Sequence, residues 1–265
     1  MSRMPTVFVS HGSPMLALGA GATGEAWQQL AARIPRPSAI VMVSAHWHEA
    51  DSGVTGAAEL ETIHDFYGFP APLYDVKYPV PGAPQLARAI ADGFAGAGLP
   101  VTLDPRRGAD HGAWVPLKSM YPQGDIPVIQ MALDLRRSTE WHFQLGQALS
   151  QLRDAGVLII GSGSITHNLR DIVPGVSSGP RIPDYVPAFM DWMHQHVIAN
   201  DVPALIDYRA QAPGAARAHP SEDHLLPLYV AMGAGEGDQA ERVYTAITEG
   251  CLGMDIYAFG QLAAA

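Results

Sequence analysis

The run Val157-Leu158-Ile159-Ile160-Gly161 has no polar side chain at any position. Alternate residues of a strand point to opposite faces. A run that is apolar on both faces therefore belongs in a sheet covered on both sides, as parallel sheets are. Similar short runs occur at Thr6–Ser10, at Ala39–Ser44 and at Ile126–Ala132. Between them lie stretches of helical character. Ala22–Arg33 stops before Pro35 and Pro37. Gln85–Ala97 is followed by an extended Pro100–Leu103, and Thr139–Asp154 is closed by Gly156. Tyr185–Ile198 and Leu225–Met232 also read as helices, with Arg242–Thr248 and Gly253–Ala258 as closing strands. The alternation predicts an α/β fold, with a mainly parallel central sheet covered by helices on both faces.

With 265 residues, 48% of them hydrophobic and 16% charged, the chain can bury a large core. It reads as a single domain over 1–265, a two-domain division being the lesser alternative. The net charge of −10, with no Lys/Arg cluster longer than a pair, argues against nucleic acid as a partner. No run approaches the ~20 apolar residues of a membrane span, and the N-terminal segment lacks the apolar stretch of a secretory signal. The lone Cys251 excludes an internal disulfide and a Cys-based zinc motif. Together these features lead us to expect a cytoplasmic protein.

The chain is rich in histidine, with 11 against 16 Lys plus Arg. Position says more than number. His11 directly follows the first apolar run, His46 follows the second, and His167 comes shortly after the VLIIG run. Parallel sheets bind ligands at the carboxyl ends of their strands, so these three can converge on one crevice if their strands are neighbours. His111 and His224 sit in polar, punctuated segments, and a glycine beside each of His11 and His111 permits close approach. Neutral imidazoles bind Fe(II), Zn(II) and similar ions, and an unligated histidine moves protons near neutral pH. His48, His64, His142, His194, His196 and His219 read first as ordinary residues. His64 and His219 are the strongest exceptions, and His194 and His196 are expected on a solvated helix.

Other signals are weaker. Gly161-Ser162-Gly163-Ser164 resembles a phosphate-cradling turn but has neither the dinucleotide spacing nor a Walker lysine. Ser13 lacks the context of a nucleophile, and its simplest role is to shape its loop. Two segments, His64–Pro84 and Pro174–Pro183, read as long loops, a feature often tied to function. The aromatic stretch Phe66-Tyr67-Gly68-Phe69-Pro70, continuing to Tyr74 and Tyr78, either walls an aromatic pocket or packs as a surface loop.

In order along the chain stand SHGSP at Ser10–Pro14, SAHW at Ser44–Trp47, HDFYGFP at His64–Pro70 and LYDVKYPVPG at Leu73–Gly82. DHGAW at Asp110–Trp114, GSGSITHNL at Gly161–Leu169 and EDHLLPL at Glu222–Leu228 complete the series. Together they resemble the class III extradiol dioxygenases of the LigB type, in the DOPA-dioxygenase-like branch. The resemblance implies a non-haem Fe(II) centre that opens a catechol-type ring with O2, zinc also being found in this branch. It implies His11, His46 and His224 as metal ligands, with Glu222 and Asp223 as competitors for the third place. It implies His167 as the acid–base residue, or else a fourth ligand, and His111 as a second histidine lining the substrate. Ser13, Asp65 and Tyr67 are the expected substrate contacts. The implied substrate is DOPA, caffeate or another 4-substituted catechol, with Arg170, Arg181 and Lys77 as candidate carboxylate anchors. A homo-oligomer is left open. Two other readings compete: a three-histidine zinc hydrolase, and a metal-free binding protein on the same fold.

Overall fold

The computed structural model describes residues 3–96, 98–99 and 101–264. Eight strands form one sheet: β1 (Thr6–Ser10), β2 (Ala39–His48), β3 (Gly53–Thr55), β4 (Thr102–Asp104), β5 (Val128–Leu133), β6 (Val157–Gly163), β7 (Ala240–Tyr244) and β8 (Ile256–Phe259). Their spatial order is β4-β3-β5-β2-β6-β1-β8-β7. The four central strands β5, β2, β6 and β1 run parallel, and β3 is parallel to β4. The sheet is mixed beyond that core, since β3 is antiparallel to β5, β8 to β1, and β7 to β8. The predicted closing strands are divided: Ile247–Thr248 and Leu252–Gly253 form a separate pair. No helix lies between β7 and β8 to carry a parallel crossover, so the chain returns antiparallel.

Six longer helices cover the sheet: α1 (Gly21–Arg33), α2 (Pro84–Gly96), α3 (His111–Met120), α4 (Thr139–Leu149), α5 (Tyr185–Ile198) and α6 (Leu226–Ala234). The two-sided apolar runs account for the two cores. Phe8, Val41, Val43, Ile129 and Ile159 face α2, α4, α5 and α6. Val7, Val9, Ile40, Met42, Leu158 and Ile160 face α1 and α3.

Element boundaries differ from the sequence reading in instructive ways. Ala97, the expected end of a helix, and Pro100, the expected start of an extended segment, lie outside the described residues. The helix after Ser138 ends at Leu149 and tightens into a 3-10 turn over Ser150–Ala155, which Gly156 closes at φ 79°. Helix α3 is absent from the sequence reading because Gly112 and Pro116 are both helix breakers. It forms because Asp110 caps it, accepting from Ala113 N–H at 3.3 Å, and because its residues are buried nearly throughout. The loop His64–Pro84 contains a helical turn, Ala71–Tyr74, and Val80–Pro81 paired with Glu59–Leu60.

Helix α6 is apolar on every side and buried along its whole length. It crosses α4 at backbone contact. A Cβ on Gly146 would lie 2.1 Å from the Val230 carbonyl oxygen, and one on Gly233 would lie 1.9 Å from that of Phe143. Because both obstacles are backbone, neither can swing aside. Gly233→Ala should therefore lower stability by about 1–3 kcal/mol or more through overpacking. A chemical denaturation curve with an unchanged midpoint would contradict this close approach.

Candidate metal centre

The strand order settles whether the strand-end histidines can meet. β6 lies between β1 and β2, and the carboxyl ends of all three open on one edge of the sheet. His11 leaves that edge from β1 and is 2% exposed. His46 lies within β2, not beyond it, because the strand continues through a register irregularity between Val43 and His48. His167 follows β6, with its N–H on the Ala218 carbonyl. His224 precedes α6 and is brought against β6 by Gly163, where a Cβ would sit 2.0 Å from the His224 carbonyl oxygen. Gly161 likewise lets Pro227 approach, its Cβ position being 2.1 Å from that residue's carbonyl. The glycines of Gly161-Ser162-Gly163-Ser164 thus serve close packing rather than phosphate binding.

Five imidazoles gather there. The Nε2 atoms of His11 and His46 are 2.9 Å apart. Ring centroids of His224 lie 5.3 Å from His11 and 4.9 Å from His46. His111 lies 3.9 Å from His46, and His167 stacks on His224 at 3.4 Å. Ligating atoms of His11, His46 and His111 lie within 4.8 Å of one another, as do those of His167, Asp223 and His224.

Hydrogen bonds decide which nitrogen of each ring is free. Pro116 has no N–H, so the Gly112 carbonyl loses its helical partner. Ser162 Oγ donates its proton to that carbonyl instead. A hydroxyl has one proton, so Ser162 must accept from His11 Nδ1–H, at 3.0 Å. That leaves His11 Nε2 as a bare lone pair facing His46. His224 Nδ1–H donates to the Asp223 carboxylate, and its Nε2 is buried with no protein partner. His111 Nδ1–H donates to Asp65 Oδ2 at 2.9 Å.

A divalent cation fits this arrangement. A buried nitrogen without a partner is costly, and His224 Nε2 is such an atom, on a ring centred 4.9 Å from that of His46 and 5.3 Å from that of His11. Nitrogens at ~2.1 Å from one ion and at right angles are about 3 Å apart, as His11 and His46 are. Burial, followed by the neighbouring imidazoles, pushes the His11 and His46 pKa values well down. Burial and the adjacent His224 bring His167 down to about 2. Burial also lowers His224, against the upward pull of its bond to Asp223. These rings are neutral at pH 7, the form that binds metal. Burial works to raise both Asp65 and Asp223, but their bonds to His111 and His224 outweigh it and keep both ionised. Two ionised carboxylates beside this group of imidazoles match the charge of a divalent ion.

The remaining expectations fare unevenly. Asp223 backs His224, whereas Glu222 turns away to accept from Tyr208 Oη. Both oxygens of Asp65 are taken up by His111. Ser13 accepts from Met15 N–H at the start of a 3-10 turn, the loop-shaping role. Tyr67 is 92% exposed. Its neighbour Phe66, not singled out individually from the sequence, packs edge-on against His111 at 5.6 Å. Arg170, Arg181 and Lys77 are exposed. His219 is fully buried, donating to Ile165, and His64 donates to the Val76 carbonyl. The expectation of solvated His194 and His196 is corrected. His194 is part-buried with Nδ1 unpartnered, and His196 bonds Asp201 and packs on Trp192. Both side chains turn partly inward from α5.

An α/β sheet with clustered, neutral histidines at its carboxyl edge marks the site of a non-haem metal enzyme. The chain belongs to the LigB family: residues 5–260 match the family described as the catalytic LigB subunit of aromatic ring-opening dioxygenase. It is 40% identical over 247 residues to the Escherichia coli (strain K12) protein named "4,5-DOPA dioxygenase extradiol", covering 90% of this chain and 88% of that one. The Beta vulgaris protein of the same name is 41% identical over 260 residues, covering 96% of each chain. The crystal structure of an uncharacterized Escherichia coli K12 protein superimposes with a TM-score of 0.82 at 34% identity, covering 97% of this chain and 100% of that one. The protein is a metal-dependent, aromatic ring-opening dioxygenase of the extradiol kind, acting on a catechol-type diol and O2. Among the described residues, no helix is long and apolar enough to cross a membrane.

Two tests follow from this geometry. Ser162→Ala frees the His11 tautomer and should weaken divalent metal binding about 10- to 100-fold, read by competitive titration. Burial holds His142 and His219 at about 4, below their unfolded value of 6.5. The unfolded chain therefore binds more protons between these pH values, and stability is complete above about pH 6.5 and falls toward pH 4. A flat denaturation profile of metal-free protein across that window would refute the assignment of neutral buried imidazoles.

Proposed function

We propose that the chain opens a 4-substituted catechol, with DOPA or caffeate as the leading substrates, on Fe(II) held by His11, His46 and His224. The reading is carried by the 2.9 Å approach of the His11 and His46 Nε2 atoms, with the ring of His224, whose Nε2 is buried and unpartnered, centred 4.9 Å from that of His46. The names of the relatives point to DOPA. Iron supports the reaction better than zinc, because zinc has no redox chemistry.

Iron held by these residues would supply Lewis-acid and redox chemistry to the diol and O2. The protein's residues position and move protons. His167, stacked on His224, takes a proton from the diol and returns it to the departing oxygen. His111, against Phe66, lines the other side of the aromatic ring. The apolar group of Phe66, Phe69, Tyr74 and Trp114 excludes water there.

Anaerobic Fe(II) loading followed by oxygen uptake across substituted catechols tests the substrate class. No uptake with any catechol would overturn the reading. His224→Ala should lose the metal, whereas His167→Ala should keep it and lose about 10²- to 10⁴-fold in turnover. Equal metal loss in His167→Ala would make that residue a ligand. Metal loss in His111→Ala with retention in His224→Ala would put His111 in the ligand set instead.

A further inference from the structure

The segment bearing Asp65 has little regular structure, yet its position is closely determined. Residues 61–63 lie alongside 108–109 through a parallel bridge, Thr62 opposite Ala109. Ala109 N–H donates to the Glu61 carbonyl and Ile63 N–H to the Ala109 carbonyl, both at 2.8 Å. Trp114 Nε1–H donates to the Ile63 carbonyl at 2.9 Å. Gly108 is required for this contact, since a Cβ there would lie 2.2 Å from the Glu61 carbonyl oxygen. The register delivers Asp65 to the start of α3 with its side chain only 19% exposed.

Asp65 then accepts twice from one residue. Oδ1 receives the His111 backbone N–H at 2.8 Å, and Oδ2 receives His111 Nδ1–H at 2.9 Å. Oδ2 is also 3.7 Å from His46 Nδ1. Each oxygen of this carboxylate is thus already engaged by His111. We infer that Asp65 is a positioning residue, not a substrate contact: it locks the His111 ring in the Nδ1–H tautomer and so presents a bare Nε2 to the reaction site. The inference rests on the proposed reading in one respect, that His111 lines the bound ring.

Asn at this position makes a discriminating probe. It is nearly isosteric but has one oxygen and one NH2 where Asp has two acceptors. The backbone N–H of His111 is a fixed donor and claims the oxygen. The NH2 then faces Nδ1, and the imidazole can satisfy it only by moving its proton to Nε2.

The experiment compares wild type, Asp65→Asn and Asp65→Ala by long-range 15N–1H spectra of histidine-labelled, metal-free protein, and by kcat and KM for oxygen uptake with catechols at saturating Fe(II). For wild type we expect an Nδ1–H His111, and for Asp65→Asn an Nε2–H His111 with unchanged Tm. In Asp65→Asn kcat should fall about 10- to 100-fold with KM within threefold. An unchanged tautomer in Asp65→Asn overturns the inference. So does a rise in KM at constant kcat, which would mark Asp65 as a substrate contact. Asp65→Ala checks folding: a large loss of Tm there together with normal kcat in Asp65→Asn reduces Asp65 to a structural role and also overturns it. If wild type takes up no oxygen with any catechol, the reaction reading fails while the tautomer spectra still decide the inference about Asp65.

Discussion

The structure depends on keeping several imidazoles dry and aimed inward without protonating them. Charged imidazoles so close together would repel, and burial alone disfavours their charged forms. Each of three rings is secured through its Nδ1: His11 on Ser162, His111 on Asp65 and His224 on Asp223. The sheet, the close contacts of Gly108, Gly112, Gly161 and Gly163, and the segment bearing Asp65 deliver those rings and partners.

Several of these partners owe their position to features that look like defects. Pro116 interrupts a helix, and the carbonyl it leaves free is what orients Ser162. Gly112 stands in the first turn of α3, where a Cβ would come within 2.4 Å of Ser44 Oγ and 3.0 Å of His46 Cδ2. Ser44 in turn donates to the fully buried Asp110, which caps the same helix. One carboxylate thereby ties the end of β2 to the start of α3, and so His46 to His111. Burial raises the Asp110 pKa, so this tie forms in an environment that resists charge, helped by Gln130 and Arg107.

The distribution of charge suits a metal that must bind an anionic diol. The rings proposed as ligands are neutral, and negative charge stands one hydrogen bond behind His224 on Asp223, with Asp65 behind the neighbouring His111. A cation held this way keeps more of its positive charge toward the open side than it would with a carboxylate in direct contact. The acidic character of the whole chain has little bearing on this, because the pocket's own groups set the local field.

The amino-acid sequence by itself determined the class of fold, since runs apolar on both faces require a doubly covered sheet, and it marked His11, His46, His167 and His224 through ordered motifs. It also carried the family, because those motifs recur in order over nearly the whole chain. Only the tertiary structure decided that β6 separates β1 from β2, that β7 and β8 run antiparallel, and that α3 exists despite Gly112 and Pro116. It alone paired Asp65 with His111 and Ser162 with His11, and turned Tyr67 outward while Phe66 turned in. The physical reason is range. Periodicity and backbone preference act within a few residues, whereas strand order and tautomer depend on partners distant in the chain, 151 residues away for His11 and Ser162.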